Sequence, residues 1–281
     1  MASAAVLATV ETLSGRNFHL LETYAMLRFS ANLSFLFLDK PFLERFAAAA
    51  EAGFKGVEFH FPYAFPLDEV VDAARRAAVE VVLFNFPAGD WAGGERGIAC
   101  LPERVAEFRD GVLEAARYAE GLKCPRINCL AGLRPADSDE ALLRETLVDN
   151  LRFAADTLAP VERHVLMEPL NSRDTPGFMV DRTVPALALL DAAERPNLFL
   201  QYDIYHAQVM EGDLARTLGT HLPHIGHIQL ADNPGRHQPG TGEINFPFLF
   251  KHLRGLGYGG WIGCEYVPSG ATEDSFGWMA A

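Results

Sequence analysis

The feature of this sequence that most constrains its fold is an eightfold alternation of short apolar runs with longer amphipathic stretches. The apolar runs cover residues 27–32, 56–61, 81–86, 126–131, 164–168, 198–203, 225–230 and 261–266. Runs that are apolar at nearly every position are typical of parallel strands buried on both faces. From Met26 onward each repeat takes about 32 residues, which suits a strand, its crossover helix and their loops.

The stretches between the runs have the spacing of helices that bury one face. Residues 102–121 place apolar side chains close to i, i+3, i+4, i+7 spacing, residues 39–52 have an alanine-rich face, and residues 139–158 set leucines between charges. Eight such repeats predict an α/β fold, a single (β/α)8 TIM barrel. An open doubly wound sheet is the alternative, but the sequence has no Gly-rich dinucleotide fingerprint.

The first 25 residues do not fit this pattern. They carry Glu11 and Glu22 against the single Arg16 and lack a basic start, so a secretory signal or an Arg-rich transit peptide is not indicated. We interpret residues 1–25 as an N-terminal extension that is poorly ordered, or that results from an upstream misread of the start codon. The barrel is expected to occupy residues 26–281 as one domain.

The charge and cysteine content narrow the class of partner. Among 281 residues, 24 Lys and Arg face 37 Asp and Glu, a net charge of −13, which disfavours nucleic acid and anionic lipid as partners. No apolar run approaches the roughly 18 residues of a membrane span. The four cysteines show neither a CxxC pair nor a disulfide-framework spacing, which indicates reduced thiols and a cytoplasmic protein.

Polar side chains end the last four strand-like runs. Glu168, Asp203, Gln229 and Glu265 stand where strands five to eight finish. Active sites of TIM barrels lie at the C-terminal ends of the strands. A carboxylate at the end of a buried run costs several kcal/mol unless it is paired or bound to a metal ion. Three carboxylates and an amide at the ends of four successive strands therefore favour a shared site over four separate caps.

Several motifs resemble those of the hydroxypyruvate isomerases. They are FNFPAGDWAGGERGIAC (84–100), INCLAG (127–132), EPLNSRDTPGF (168–178), QYDIYH (201–206), HIQLADNPGRHQPGTGEINF (227–246) and GWIGCEYVP (260–268). These enzymes belong to the xylose-isomerase-like barrels, together with ketose 3-epimerases and apurinic endonucleases. The resemblance runs from Met26 to about residue 268.

The resemblance implies a divalent metal ion held by Glu168, Asp203, Gln229 and Glu265. Oxygen ligands suit Mg²⁺ or Mn²⁺ better than Zn²⁺. The ketose epimerases have a histidine where this chain has Gln229, and the nucleases need a multi-zinc cluster with several histidines. The glutamine at position 229 therefore argues against both a ketose epimerase and an apurinic endonuclease.

The reaction implied by the resemblance is the interconversion of hydroxypyruvate and tartronate semialdehyde, a small-molecule hydroxy/oxo acid pair. One hydrogen moves between adjacent carbons through an enediolate, which a cation chelating both oxygens stabilises. Glu168 and Glu265 are assigned as the catalytic acid–base pair, and Asp203 to metal binding alone. General acid–base help of this kind is typically worth about 10²–10⁴-fold.

Four further residues are predicted to bind the substrate. His206 matches a family histidine that contacts a substrate oxygen, with capping of a helix from about Ala207 as the alternative. Arg96 and Arg236 lie in family motifs and could hold the substrate carboxylate bidentately. Trp91, in the glycine-rich loop 87–94, could close over the substrate and exclude water.

Each of these assignments has a structural alternative. The two arginines could instead form surface ion pairs, for example with Glu95 or Asp232. Glu58 and Glu243 could orient the site or only form salt bridges, and His227, two residues before Gln229, points to the same side of the barrel wall one layer below it.

Other functions stay open at this level. A 2-oxo-tetronate isomerase would use the same residues on an acid one carbon longer. A ketose 3-epimerase of the same fold and a non-catalytic barrel that binds a small acid are the remaining alternatives. The relatives suggest a homo-oligomer, either a dimer or a tetramer.

Overall fold

The computed structural model describes residues 26–280, so the expected extension at residues 1–25 lies outside the described residues. Eight parallel strands pair in chain order, and β1 pairs with β8 to close the barrel. The strands are β1 Arg28–Asn32, β2 Gly56–Glu58, β3 Glu80–Asn85, β4 Arg126–Cys129, β5 His164–Met167, β6 Leu198–Asp203, β7 Ile225–Leu230 and β8 Trp261–Cys264. The predicted (β/α)8 barrel is confirmed.

Within residues 26–280, eight α-helices surround the barrel. They are α1 Arg45–Glu51, α2 Leu67–Ala77, α3 Val105–Leu122, α4 Glu140–Leu158, α5 Thr183–Ala193, α6 Ile204–Met210, α7 Leu214–His221 and α8 Phe246–Gly255. Two of them, α6 and α7, lie between β6 and β7. Beyond β8, the described chain ends in a 3-10 helix, Glu273–Ala280.

The first helix begins later than the sequence pattern suggested. Residues 39–52 were expected to be helical, but only a 3-10 turn, Phe42–Glu44, and then α1 form there. Pro41 explains the difference, because proline lacks an N–H and disfavours helical backbone at the residue before it. By contrast, α4 begins where expected, because Asp139 is its N-cap and the Asp139 carboxylate accepts a hydrogen bond from the Ala141 N–H (2.9 Å).

The barrel interior is apolar near the N-terminal ends of the strands and polar above. Leu83, Leu166 and Trp261 belong to a small apolar cluster of buried strand residues. Successive inward positions are polar and fully or nearly fully buried: Ser30, Asn32, Glu58, Asn85, Asn128, Gln201 and His227. A polar interior needs internal hydrogen bonds, and these lead upward to the C-terminal ends of the strands.

The remaining apolar core lies between the barrel wall and the helices. No helix within residues 26–280 combines the length and the hydropathy needed to cross a membrane.

Candidate active site

Three carboxylates emerge together at the C-terminal ends of the strands. Asp203 is the last residue of β6, while Glu168 and Glu265 directly follow β5 and β8. All three are at most 4% exposed. The barrel closure brings them to one rim although up to 97 residues separate them in the chain.

Glu168 and Asp203 each keep one oxygen free. Asn128 Nδ2 donates to Glu168 Oε2 at 2.9 Å, and the Tyr205 N–H donates to Asp203 Oδ1 at 2.7 Å, which makes Asp203 the N-cap of α6. The other oxygens, Glu168 Oε1 and Asp203 Oδ2, are buried and have no hydrogen-bond partner among residues 26–280. With His206 these two groups offer possible ligand atoms within 4.8 Å of one another.

The negative charge of these buried carboxylates would be stabilised by a cation. Burial raises the pKa of Glu168 well above its ordinary value, and the nearby Glu265 and Asp203 carboxylates raise it further. Burial raises the pKa of Asp203 to about 7, although Arg236 acts in the opposite direction. Two orphaned carboxylate oxygens in a site with excess negative charge fit a divalent metal ion.

Glu265 is held by other partners. Its Oε1 lies 2.8 Å from His60 Nε2 and 3.3 Å from Asn32 Nδ2, and its Oε2 accepts from Arg236 Nη2 at 3.3 Å. The Glu265 carboxylate is close enough to raise the pKa of Glu168. Unlike Glu168 and Asp203, however, both of its oxygens already have hydrogen-bond partners.

Gln229 faces the barrel interior in this structure. Its Nε2 donates to Glu58 Oε1 at 2.8 Å, and its Oε1 accepts from Gln201 Nε2 at 2.6 Å. The expected metal ligands are thus brought together in part: Glu168 and Asp203 present free oxygens, and Gln229 joins a hydrogen-bond network below them.

Glu58 is the centre of that network. Ser30 Oγ, Asn32 Nδ2 and His227 Nε2 all lie within 3.2 Å of its oxygens, in addition to Gln229. Burial alone would raise the pKa of Glu58, but His227 and the hydrogen bonds from Gln229 and Ser30 lower it overall. Glu58 is therefore a buried anion held by four side chains from two strands, β1 and β7. By contrast, Glu243 lies outside the barrel and binds Asn233 and Gln208.

His206 lies in the first turn of α6, which begins at Ile204 and not near Ala207. The helix is capped by Asp203, so the expected alternative role of His206 as a helix cap does not apply. Its Nδ1 is contacted by the N–H and the Nδ2 of Asn171. Its Nε2 lies 3.6 Å from Asp203 Oδ2 and 4.0 Å from Glu168 Oε1.

Arg236 reaches into the site from the loop after β7. Its guanidinium carbon lies 4.8 Å from the ring centre of Phe35 and 5.2 Å from that of Tyr205, so two aromatic rings fix it. It approaches Asp203 and Glu265 and not Asp232, whose carboxylate accepts backbone N–H groups of its own loop.

Arg96 and Trp91 form the wall opposite. The Arg96 guanidinium stacks on the Trp91 ring at 4.1 Å, and its Nη1 donates to the Trp91 and Glu95 carbonyls. The expected alternative, an ion pair with the Glu95 side chain, does not form, because that carboxylate binds Arg104 at 2.7 Å.

A cavity of about 210 Å³ joins these groups. Its lining includes all four residues predicted to bind substrate as well as Glu168 and Glu265, and it adds residues that sequence reasoning missed: Phe35, His60, Asn85, Leu130, Leu170, Asp174 and Thr175. His60 stood inside the apolar run 56–61, where its polar ring two residues beyond Glu58 was the available signal.

Known proteins are similar to this chain in sequence. The family model of the xylose isomerase-like TIM barrel matches residues 46–281. The chain is 51% identical to the hydroxypyruvate isomerase of Escherichia coli K12 over 90% of this chain and 98% of that protein. It is 46% identical to the 2-oxo-tetronate isomerase of Cupriavidus necator over 90% and 98% of the two chains.

Among solved structures, a Brucella melitensis protein described as an AP endonuclease of family 2 is similar, with a TM-score of 0.89 and 47% identity. The similarity covers 91% of this chain and 98% of that one.

Proposed function

Because the chain belongs to the xylose isomerase-like TIM barrel family and is an isomerase of that family, we propose that it interconverts hydroxypyruvate and tartronate semialdehyde. The observation that carries this proposal is the pair of buried carboxylates, Glu168 and Glu265, which face one small cavity beside Arg236. A 51% identical relative with the first of these substrates in its name supports the choice of substrate.

The reaction needs one proton removed from C3 of hydroxypyruvate and one returned to C2, while a hydroxyl proton passes from the C3 oxygen to the C2 oxygen. Glu168 suits the proton-carrying role, because it lines the cavity and its Oε1 is buried without a hydrogen-bond partner among residues 26–280. Glu265 has its two oxygens oriented by His60, Asn32 and Arg236, which fixes the direction in which it can deliver a proton.

Glu168 and Asp203 would hold the divalent cation, with Glu265 and Gln229 as further candidate ligands. We propose Mg²⁺ or Mn²⁺, because carboxylate and amide oxygens favour hard ions. When bound, the ion would polarise the substrate carbonyl and compensate the negative charge that forms on the substrate oxygens.

Arg236 and Arg96 are proposed to recognise the substrate carboxylate. Both line the cavity, and Arg236 offers its guanidinium edge next to Glu265. Trp91 lines the cavity with its ring next to that of His60, and it would keep water from the reacting carbons. The cavity is below the roughly 300–1,000 Å³ typical of drug-sized ligands, as expected for a three-carbon acid.

A 2-oxo-tetronate is the second candidate substrate. The 46% identity to a 2-oxo-tetronate isomerase is close to the 51% identity to a hydroxypyruvate isomerase, and the residues around the reacting carbons would serve either acid. We do not propose the nuclease activity that the Brucella structure's name suggests, because a net charge of −13 repels a phosphate backbone.

The test is a substrate panel with hydroxypyruvate, 2-oxo-tetronates and free ketoses, each measured with Mg²⁺, with Mn²⁺ and with a chelator. We expect turnover of hydroxypyruvate, lost by at least about 10²-fold in Glu168→Gln and in Glu265→Gln because each removes an acid–base group. Glu145→Gln is the matched control, since Glu145 is exposed on α4.

Two results would contradict the proposal. Wild-type rates in both active-site variants, with the fold verified by circular dichroism, would exclude the two-carboxylate mechanism. Turnover of only the tetronates would show that the substrate is a 2-oxo-tetronate and not hydroxypyruvate.

We also propose that the protein works in the cytoplasm as a dimer or a tetramer. The four cysteines are buried and unpaired, which is typical of proteins kept in a reducing compartment. Size-exclusion chromatography with light scattering tests the oligomeric state, and a monomer at micromolar concentration would contradict it.

A further inference from the structure

One nitrogen of the His206 imidazole, Nδ1, is contacted by two hydrogen-bond donors. The backbone N–H of Asn171 lies 3.1 Å from His206 Nδ1, and the side-chain Nδ2 of Asn171 lies 2.7 Å from the same atom. Neither donor can accept a hydrogen bond, so Nδ1 has to present its lone pair. A ring with a free lone pair on Nδ1 is neutral and carries its proton on Nε2.

The orientation of the Asn171 amide is itself fixed. Its Oδ1 accepts from the N–H groups of Arg173 (3.0 Å) and Asp174 (2.9 Å), while its Nδ2 also donates to Asp174 Oδ2 at 3.1 Å. A flipped amide would turn its NH₂ group toward two N–H donors and its oxygen toward a carboxylate. The nitrogen therefore faces His206.

Asp174 is fixed in turn. The Tyr205 hydroxyl donates to Asp174 Oδ2 at 2.9 Å, which connects the loop after β5 to the first turn of α6. Both Asn171 and His206 are at most 4% exposed, so water does not compete for these hydrogen bonds.

The other nitrogen of the ring faces the reaction site. His206 Nε2 lies 3.6 Å from Asp203 Oδ2 and 4.0 Å from Glu168 Oε1, and His206 lines the cavity. A protonated Nε2 is a hydrogen-bond donor and has no lone pair left for a metal ion.

We propose that Asn171 is a positioning residue that locks His206 in the neutral tautomer protonated on Nε2, so that this N–H donates to a substrate oxygen and does not bind the metal ion. The assignment of Asn171 and of the tautomer stands on geometry alone, whereas the role toward substrate rests on the proposed function. A neutral donor stabilises the developing enediolate oxygen, as preorganised donors do in other enzymes.

The direct test is ¹⁵N nuclear magnetic resonance on protein labelled at histidine, with the His206 signals assigned by their loss in His206→Gln. We expect the wild-type protein, freed of metal by a chelator, to show an unprotonated Nδ1 and a protonated Nε2. Saturating Mg²⁺ should leave the Nε2 proton in place. A protonated Nδ1, or loss of the Nε2 proton on adding Mg²⁺, would overturn the proposal.

The variant test is Asn171→Asp. An aspartate keeps the oxygen that accepts from Arg173 and Asp174, but it turns an acceptor toward Nδ1 and so favours a proton there. We expect Nδ1 to become protonated and kcat for hydroxypyruvate to fall by about 10²-fold or more, the range seen when a preorganised donor is lost. An unchanged tautomer in a folded Asn171→Asp protein would show that the backbone N–H of residue 171 fixes Nδ1 without the side chain, and it would contradict the positioning role of the Asn171 amide.

Asn245→Asp is the matched control, because Asn245 accepts from the Phe248 N–H at the start of α8, outside the cavity. It should change neither the His206 signals nor kcat. If Asn171→Asp fails to fold, the wild-type spectrum still decides the tautomer. If wild-type protein leaves hydroxypyruvate unchanged while the tautomer is as stated, the proposed function has failed and the role of Asn171 has not.

Discussion

At the residue scale, the site is defined by charge that the protein leaves uncompensated. Glu168, Asp203 and Glu265 share the guanidinium of Arg236 as the cation between them, and two carboxylate oxygens are buried without a partner among residues 26–280. Such an arrangement costs folding free energy and is retained where function needs it. The metal-free protein should therefore become more stable when one carboxylate is removed.

Glu168→Gln tests this cost. The folded pKa of Glu168 is raised by burial and by Glu265 and Asp203, so the folded state holds its proton more tightly than the unfolded state. Its contribution to stability is therefore complete below the ordinary pKa of about 4.5 and is lost as the pH rises. A glutamine can still accept from Asn128 and carries no charge.

We expect Glu168→Gln to raise the free energy of unfolding at pH 8 by about 1 kcal/mol or more, as when buried charged groups are replaced by neutral ones of similar volume. The gain should shrink toward pH 5. Denaturation of both proteins in the presence of a chelator measures it, with Glu145→Gln as the exposed control. A variant less stable than wild type at pH 8 would show that the cluster is already neutralised.

The residues at the ends of the strands could be predicted from the sequence, but the residues that position the site side chains could not. Glu168, Asp203 and Glu265 were visible because a polar group closes each apolar run. His60 is a polar residue inside an apolar run and Asn171 lies beyond the end of one, so neither closes a run. Their importance depends on contacts with Glu265 and His206 from other parts of the chain. The downward turn of Gln229 toward Glu58 likewise depends on a contact 171 positions away.

At the element scale, the strands supply a polar interior as well as a wall. Gly263 on β8 stands beside Glu58 on β2, and a Cβ at residue 263 would overlap the Glu58 carboxylate. Because Gly263 has no side chain, the Glu58 carboxylate has room to accept its hydrogen bonds. The strands could be predicted to within a few residues from apolar runs, while the start of α1 was wrong because Pro41 outweighs the alanine-rich pattern.

Gly263→Ala should therefore disturb the network without touching the cavity. We expect a loss of about 1–3 kcal/mol in the free energy of unfolding, as for other overpacked interiors. Gly259→Ala, where a Cβ meets nothing within 4 Å, is the matched control and should stay within about 0.5 kcal/mol of wild type. Equal stability of both variants would mean that Glu58 does not need its present position.

At the scale of the whole molecule, barrel closure brings the dispersed motifs together. The eight repeats predicted the barrel, and with it the meeting of strand ends at one rim. They could not predict how the loops after β3 and β7 fold inward, because Arg96 stacks on Trp91 of its own loop and Arg236 stacks on Phe35, a residue from a distant segment. The cavity is therefore a property of the closed molecule.

Proton transfer by the two glutamates is tested most directly by following the substrate hydrogen in D₂O. Hydroxypyruvate is converted in D₂O with wild-type protein and followed at early times by nuclear magnetic resonance, with Glu168→Gln giving the background exchange. We expect solvent deuterium at C2 of the tartronate semialdehyde formed. Product that carries the original C3 hydrogen throughout would indicate a hydride shift and exclude proton transfer by the glutamates.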